Sequence, residues 1–403
     1  MRTIRFKRFT KPGFLKQIGR ELLGRFLGKF KTELAENKID LPAESLQDDG
    51  YFKAMSAVAM SPDGLPDDLI EAIYSIEEMA TEEGQDRLEK AVEQGQLAIN
   101  FDKKASRGDI AMQAYLSAPE VLAQKSNELR LARLSSFEYY GTKAPVDRSD
   151  SFAAPAKATL DLLTKDLDEW FKDNNRGDQT ANIEPYMLDG EFWFLVRHGD
   201  TFARMAKLEK GKLKMIHFRP AKDDVVVYSP ERDEIRIHAG SKRERELYRS
   251  AFGFRVFADD RNFSEKKAFT LEPLRVDGAG ALEWDGGGDV ERIVLREIET
   301  AWGGAFNETT IRKSDDIFAA AEASEGKRTA IPASGRLVRA AFDIYFDGAK
   351  KPRKVHVRPP NILKLGRYCD ASVVQRWLSE KGFRETVKAG DERRSRIGTV
   401  AVP

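Results

Sequence analysis

"PYMLDGEFWFLVRH", Pro185 to His198, is where the chain changes its period. Two apolar runs flank Asp189-Gly190, a dipeptide that readily supplies the two positive φ angles of a tight hairpin turn. In the second run Phe192, Phe194 and Val196 fall on one side, and Trp193, Leu195 and Arg197 on the other. That is the two-residue repeat of a strand. Downstream, "FARMAKL", "LKMIHF", "DVVVYS" and "EIRIHA" continue as short strands, with "EKGK" and "PERD" as turns. Upstream the repeat is helical. The stretch therefore separates a helical part of the chain from an antiparallel meander of four or five strands, and it predicts an α+β protein.

Working outward to the N-terminus, Pro12 to about Ala35 reads as one helix, with Leu15, Ile18, Leu22, Phe26, Phe30 and Leu34 on one face. Residues 1–31 hold ten Lys/Arg and one Glu, a net +9. Pro66 opens the next helix, with Leu69, Ile73 and Ile76 as its stripe, and Thr81 caps another. Residues 66–94 hold ten acidic and two basic residues, a net −8. Helical patterns follow at Ile110–Leu116 and from Pro119 to about Tyr139. An all-helical domain is expected over 1–145. Its basic helix either faces outward or packs on the acidic helices at 66–94.

"GTKAPVDRSDSFAAPA", 141–156, reads as a linker. The second domain, 157–276, is an antiparallel sheet with flanking helices. One helix runs from Ala158 to about Asp173. Another opens on the capping box Ser241–Glu244 and runs to about Phe252, with Gly253 as its left-handed terminus. The third domain, 277–403, is a small basic α+β module. It has a glycine-rich loop at Gly278–Gly288, a strand "RIVLREIETAW", and a helix capped by Ser314. A hairpin follows through "RLVRAAFDIYF" and "RKVHVR", and then a helix capped by Asp370. A helix, a turn at Tyr368-Cys369-Asp370 and a second helix, with the hairpin as wing, give it a winged-helix outline.

At 403 residues, with 67 Lys+Arg against 66 Asp+Glu, the chain is informative in its charge layout rather than its balance. A single cysteine, Cys369, excludes a disulfide framework and a cysteine-based zinc centre. It also fits a reducing, cytoplasmic setting. No apolar run approaches the roughly 20 residues of a membrane span. No cofactor and no metal is expected.

"LVRHGDT", Leu195 to Thr201, resembles the signature of the histidine phosphatase superfamily, which includes the phosphoglycerate mutases. The resemblance implies His198 as the nucleophile that forms a phosphohistidine, and Arg197 as a clamp on the phosphoryl oxygens. It covers about seven residues. That family places the motif near the chain start, before a helix, and needs a second histidine and a second arginine. Here some 190 residues precede it and strands follow it. The other histidines are His217, His238 and His356. A second phosphoester chemistry would be a Mg²⁺-dependent nuclease near Asp223 and Asp224, with Glu265-Lys266-Lys267 as an acid-x-Lys triplet.

The strongest functional signal is the C-terminal charge. Residues 350–396 hold fourteen Lys/Arg against five acidic residues, a net +9, on a hairpin and a helix. Lys350, Lys351, Arg353, Lys354, Arg358, Lys364, Arg367, Arg376, Lys381, Arg393 and Arg394 are the candidate phosphate contacts. The expectation is a non-catalytic binding or adaptor protein that contacts DNA or RNA through this region. The charge layout suggests a component of a bacterial multi-protein system for defence or DNA processing. The alternatives are the phosphoester-cleaving enzyme and a scaffold that uses segregated charge to bind other proteins.

Overall fold

The computed structural model describes residues 6–385 except Glu44, 61–63, 100–104, Lys210, Lys266, Gly288, Gly326, Lys350 and 366–370. The chain is α+β with a helical N-terminal region, and it divides into two compact units, 1–131 and 132–403.

The first unit contains α1 (Pro12–Ile18), α2 (Arg20–Gly28), α3 (Lys31–Glu36), α4 (Asp48–Met60), α5 (Asp67–Met79), α6 (Glu82–Glu93), α7 (Arg107–Ser117) and α8 (Pro119–Ala132). The single helix expected from Pro12 is three. Gly19 takes φ +86°, which a side chain would resist, and turns the chain between α1 and α2. The apolar stripe holds across the breaks: Leu15, Ile18, Phe26, Phe30 and Leu34 are buried in one core. The basic segment is met from within this unit. Lys16 pairs with Asp49 at 3.3 Å and Arg20 with Asp48 at 3.2 Å, both on α4. The backbone N–H groups of Lys7, Arg8 and Phe9 donate to the Glu77 carboxylate of α5 at 2.9, 2.6 and 2.8 Å. Part of the N-terminal positive segment thus sits on an acidic helix, through its backbone.

The second unit contains β1 (Ser136–Gly141), α9 (Lys157–Asp173), β2 (Asn182–Leu188), β3 (Glu191–Gly199), β4 (Ala203–Glu209), β5 (Lys212–Phe218), β6 (Ala221–Ser229), β7 (Glu234–His238) and α10 (Lys242–Phe257). It continues through β8 (Ser264–Glu265), α11 (Pro273–Val276), β9 (Val290–Gly303), β10 (Glu308–Lys313), α12 (Ile317–Glu322), β11 (Arg336–Phe346), β12 (Arg353–Arg358), β13 (Ile362–Leu365) and α13 (Ala371–Glu380). One antiparallel sheet runs β10-β9-β11-β12-β13-β1-β7-β6-β3-β2, with β8 beside β1; β4 and β5 form a separate two-stranded ribbon. Asp189 and Gly190 take φ +52° and +75° and close the β2–β3 hairpin.

The regions expected as separate domains, 157–276 and 277–403, share this sheet, because β1 pairs with β13 on one side and β7 on the other. Ser136–Gly141, expected to end a helix, is the joining strand. Its Phe137, Tyr139 and Tyr140 are buried, and aromatic side chains suit a pleated surface. The 141–156 segment is no spacer. Thr142 and Arg148 bond the buried Asp233 at 3.1 and 3.2 Å, and Phe152 packs on Phe192, Tyr228 and Phe257. Ile362–Leu365 is a strand where the winged-helix outline needs a helix: Leu363 and Leu365 alternate into the core, as a strand pattern does. Helix α10 runs past Gly253 to Phe257, and Ala258 supplies the left-handed residue. Gly253 serves close packing, since a Cβ there would lie 2.6 Å from the Asp259 carbonyl oxygen.

Side chains directly opposite in an antiparallel ladder share a face. The register therefore gives a front face through Phe194, Val226, Ile237, Glu138 and Ile362, and a back face through Trp193, Val227, Arg236 and Tyr139. Helices α9 and α10 cover the front of β3, β6 and β7 with Leu163, Leu167, Phe171, Tyr248 and Phe252. Helix α13 lies on the back of the other half, where Trp377 meets Phe342 and Phe383 at 5.2 and 5.1 Å between ring centroids.

Candidate functional site

Arg197 and His198 are consecutive on β3, so they point to opposite faces. On the back, Arg197 donates to Asp223 at 2.9 Å and lies 3.5 Å from Glu184. On the front, His198 is buried, with its ring stacked on Phe171 at 4.1 Å. Its Nδ1 lies 2.8 Å from the Gly199 carbonyl oxygen and its Nε2 3.1 Å from Asp224 Oδ2. Both ring nitrogens are thus engaged by oxygen atoms within the fold. Neither nitrogen is turned toward open space from which it could reach a phosphoryl group. Nor does a second histidine join it. His238 is on the back face opposite Val225, His217 is on the β4–β5 ribbon, and His356 is on β12. The phosphatase-like arrangement implied for Arg197 and His198 is not assembled.

The letters of "RHGD" have other work. Lys222 Nζ lies 2.8 Å from Glu244 Oε2 and 3.4 Å from Asp224, and the Tyr248 hydroxyl donates to Asp224 at 2.9 Å. Arg176 bonds Asp200 and lies 3.5 Å from Glu244. Asp224, Glu244 and Asp200 thus meet the side chains of His198, Lys222 and Arg176. Burial pushes the Asp224 carboxyl up. The His198 hydrogen bond, the charges of Lys222 and His198, and the Tyr248 hydroxyl outweigh that and hold it below its ordinary value. Burial and the Asp224 charge push the Tyr248 phenol well up, so it remains a donor. Gly199 is required because a Cβ would overlap the Arg176 carbonyl oxygen.

His198, Asp224 and Glu244 bring one ligand atom each within 4.8 Å of one another and are, among the described residues, the group that could hold a metal ion. The Lys222 ammonium already lies against both carboxylates, and the His198 Nε2 is spent on Asp224. These donors fit an internal cation rather than a bound metal. Asp223 and Asp224 cannot converge on one Mg²⁺ either, since adjacent strand residues face opposite ways. Glu265 lies on β8 and Lys266 is outside the described residues.

The basic candidates separate by the same alternation. Lys354 and Arg358 on β12 and Lys364 on β13 share the front face with His356, which is directly opposite Lys364. All three cations are exposed, and among the described residues none lies within 4.0 Å of a carboxylate; Asp343 of β11, directly opposite Lys354, pairs with Arg296. Burial, then the charges of Lys364 and Arg339, hold the His356 imidazole below its ordinary value; Lys354 adds to this, and Glu297 opposes it. Further along this face the charge is paired: Glu297 is held by Lys313 at 2.8 Å and by Arg339, and Arg339 lies 3.3 Å from Glu299. Lys351 is exposed in the β11–β12 connection, and Arg353 is half-buried opposite Ile344.

Arg376 and Lys381 lie elsewhere, at the α13 side. Arg376 donates to the Gly286 carbonyl at 3.4 Å, and Lys381 to the Gly280 carbonyl at 3.2 Å. The glycine-rich loop therefore offers carbonyl oxygens to cations and is an inter-element connection, not a cradle of N–H groups for phosphate. Lys350, Arg367, Arg393 and Arg394, with Cys369 and Asp370, lie outside the described residues. Sequence reasoning missed Lys222, Glu244, Arg176 and Tyr248. Their partners are distant in sequence, and only the capping box gave Glu244 away. It also missed a cleft of about 750 Å³ between α9 and α10, lined by Trp170, Leu247, Ala251, Phe254, Asp259 and Asp260.

The chain matches no family model and no curated protein sequence.

Proposed function

We infer that this protein is a non-catalytic nucleic-acid-binding protein whose phosphate contacts lie on the front face of β12 and β13. One observation carries the reading. Lys354, Arg358 and Lys364 stand exposed on adjacent strands of one face without an anionic partner among the described residues. The more covered cations of this unit, such as Lys222, Arg255 and Arg236, are paired. Unpaired cations on a rigid sheet release counterions when they meet phosphates, which makes binding favourable and salt-dependent. The rival phosphoester-cleaving readings need side chains that the sheet points apart. Fluorescence anisotropy with labelled duplex DNA and RNA tests the inference, across about 50–200 mM salt. Affinity should fall linearly in log–log form. Salt-independent binding, or none at low salt, contradicts it.

A further inference from the structure

The β4–β5 ribbon pairs with no other described strand of the second unit. Leu208 and Leu213 face each other near its tip at 73% and 71% exposure, and Phe202 at its base is 63% exposed. A two-stranded ribbon with no third strand or covering helix buries little of itself. From 202 to 219 the sequence holds six Lys/Arg and one Glu. The register sorts these by face. Ala206, Met215, Leu208 and Leu213 share one face; the pair Lys207–Lys214 and Lys212, which stands opposite Glu209 in the register, belong to the other. The ribbon is apolar on one side of its outer half and carries a net positive charge on the other.

Its base is fixed. Arg219 donates to the Asn175 and Asp200 carbonyl oxygens at 2.8 and 2.6 Å, and the Asp200 N–H bonds the Pro220 oxygen at 2.7 Å. It also leaves the sheet at a telling place. The ribbon joins the C-terminal end of β3 to the N-terminal end of β6. Following the register through β7 and β1, that end of the sheet carries Lys364 and His356.

Resting on the nucleic-acid reading above, we propose that β4–β5 inserts flat into the major groove of B-form DNA held on the β12–β13 face. The dimensions match. A seven-residue strand spans roughly 23 Å, and a ribbon with its side chains is about 10 Å thick. The B-DNA major groove is about 12 Å wide and 8.5 Å deep and admits a two-stranded ribbon. With the Leu208–Leu213 face inward, apolar side chains meet base edges and thymine methyls. Lys207, Lys212 and Lys214 then emerge at the level of the flanking phosphates. Charge complementarity selects an anionic partner, and the apolar inner face selects a groove over a bare phosphate surface. A-form RNA has a major groove too narrow for the ribbon. The arm is therefore a selector of DNA over double-stranded RNA.

The test compares the full chain with Leu208→Ser/Leu213→Ser and with Lys207→Ala/Lys212→Ala/Lys214→Ala. The probes are a labelled DNA duplex, an RNA duplex of the same sequence, and phosphatidylserine vesicles. Wild type should prefer DNA, and the leucine variant should lose at least about tenfold in DNA affinity with RNA affinity unchanged. The lysine variant should weaken DNA binding and flatten its salt dependence. If wild type binds both duplexes equally and the leucine variant matches it, the arm proposal is overturned while the β12–β13 interface stands. If neither duplex binds, both fail. Binding to vesicles without DNA makes the ribbon a lipid-surface arm and overturns the proposal. So does a leucine-dependent dimer, seen by sedimentation, whose loss leaves DNA affinity unchanged.

Discussion

The front face of one sheet holds two groups of basic side chains that behave in opposite ways. Under α9 and α10, His198 and Lys222 are covered by helices and matched, with Arg176, by Asp224, Glu244 and Asp200. On β12 and β13, Lys354, Arg358 and Lys364 are open to solvent and unmatched among the described residues. The covered charges had to find partners, because burying an unpaired charge costs several kcal/mol. The open charges had no such constraint and remain available to an external anion. A cationic letter thus says little about function until its cover is known.

The comparison breaks most visibly at the buried group. Asp224→Ala removes the carboxylate that His198 and Tyr248 bond, leaves Lys222 with Glu244 alone, and should destabilise the second unit by about 3–5 kcal/mol in urea unfolding. A change under about 0.5 kcal/mol would mean that the network is not holding the sheet. Gly199→Ala places a methyl on the Arg176 carbonyl and should cost about 1–3 kcal/mol by the same measurement. Thermal unfolding followed against pH sharpens the point. Asp224 is held below its ordinary value, so its contribution is present above about pH 4 and is lost as pH falls further. Asp224→Asn should flatten that acid limb; an unchanged limb counts against the assignment. The smallest stability effect belongs to the open group. Lys354→Ala/Arg358→Ala/Lys364→Ala should lie within about 0.5 kcal/mol of wild type, since exposed unpaired side chains hold little together.

The parts of the fold that were legible are those whose cause is local. Asp189-Gly190 announces its hairpin because two adjacent positive φ angles suffice, and Ser241 with Glu244 announces a helix start within four residues. The alternation through Phe192 to Arg197 already placed Arg197 on the face of Trp193 and Leu195, as the register has it. What could not be read depends on partners far along the chain. "SFEYYG" follows a helix with no breaker, and it becomes a strand only because β13 and β7, more than ninety residues away, bracket it. The basic run 350–396 looked like one patch. Register and the position of α13 divide it into a front group on β12–β13 and a separate group bound to loop carbonyls.

That division is also where the functional claim is most exposed. The direct measurement is the slope of log affinity against log salt for duplex DNA with three proteins: wild type, Lys354→Ala/Arg358→Ala/Lys364→Ala, and Arg376→Ala/Lys381→Ala. The front-face variant should reduce the slope by about 2 to 3, near 0.9 for each phosphate no longer neutralised, while the α13 variant keeps the wild-type slope. A front-face variant that keeps the wild-type slope, or an α13 variant that loses as much, would contradict the assignment of the interface to β12 and β13.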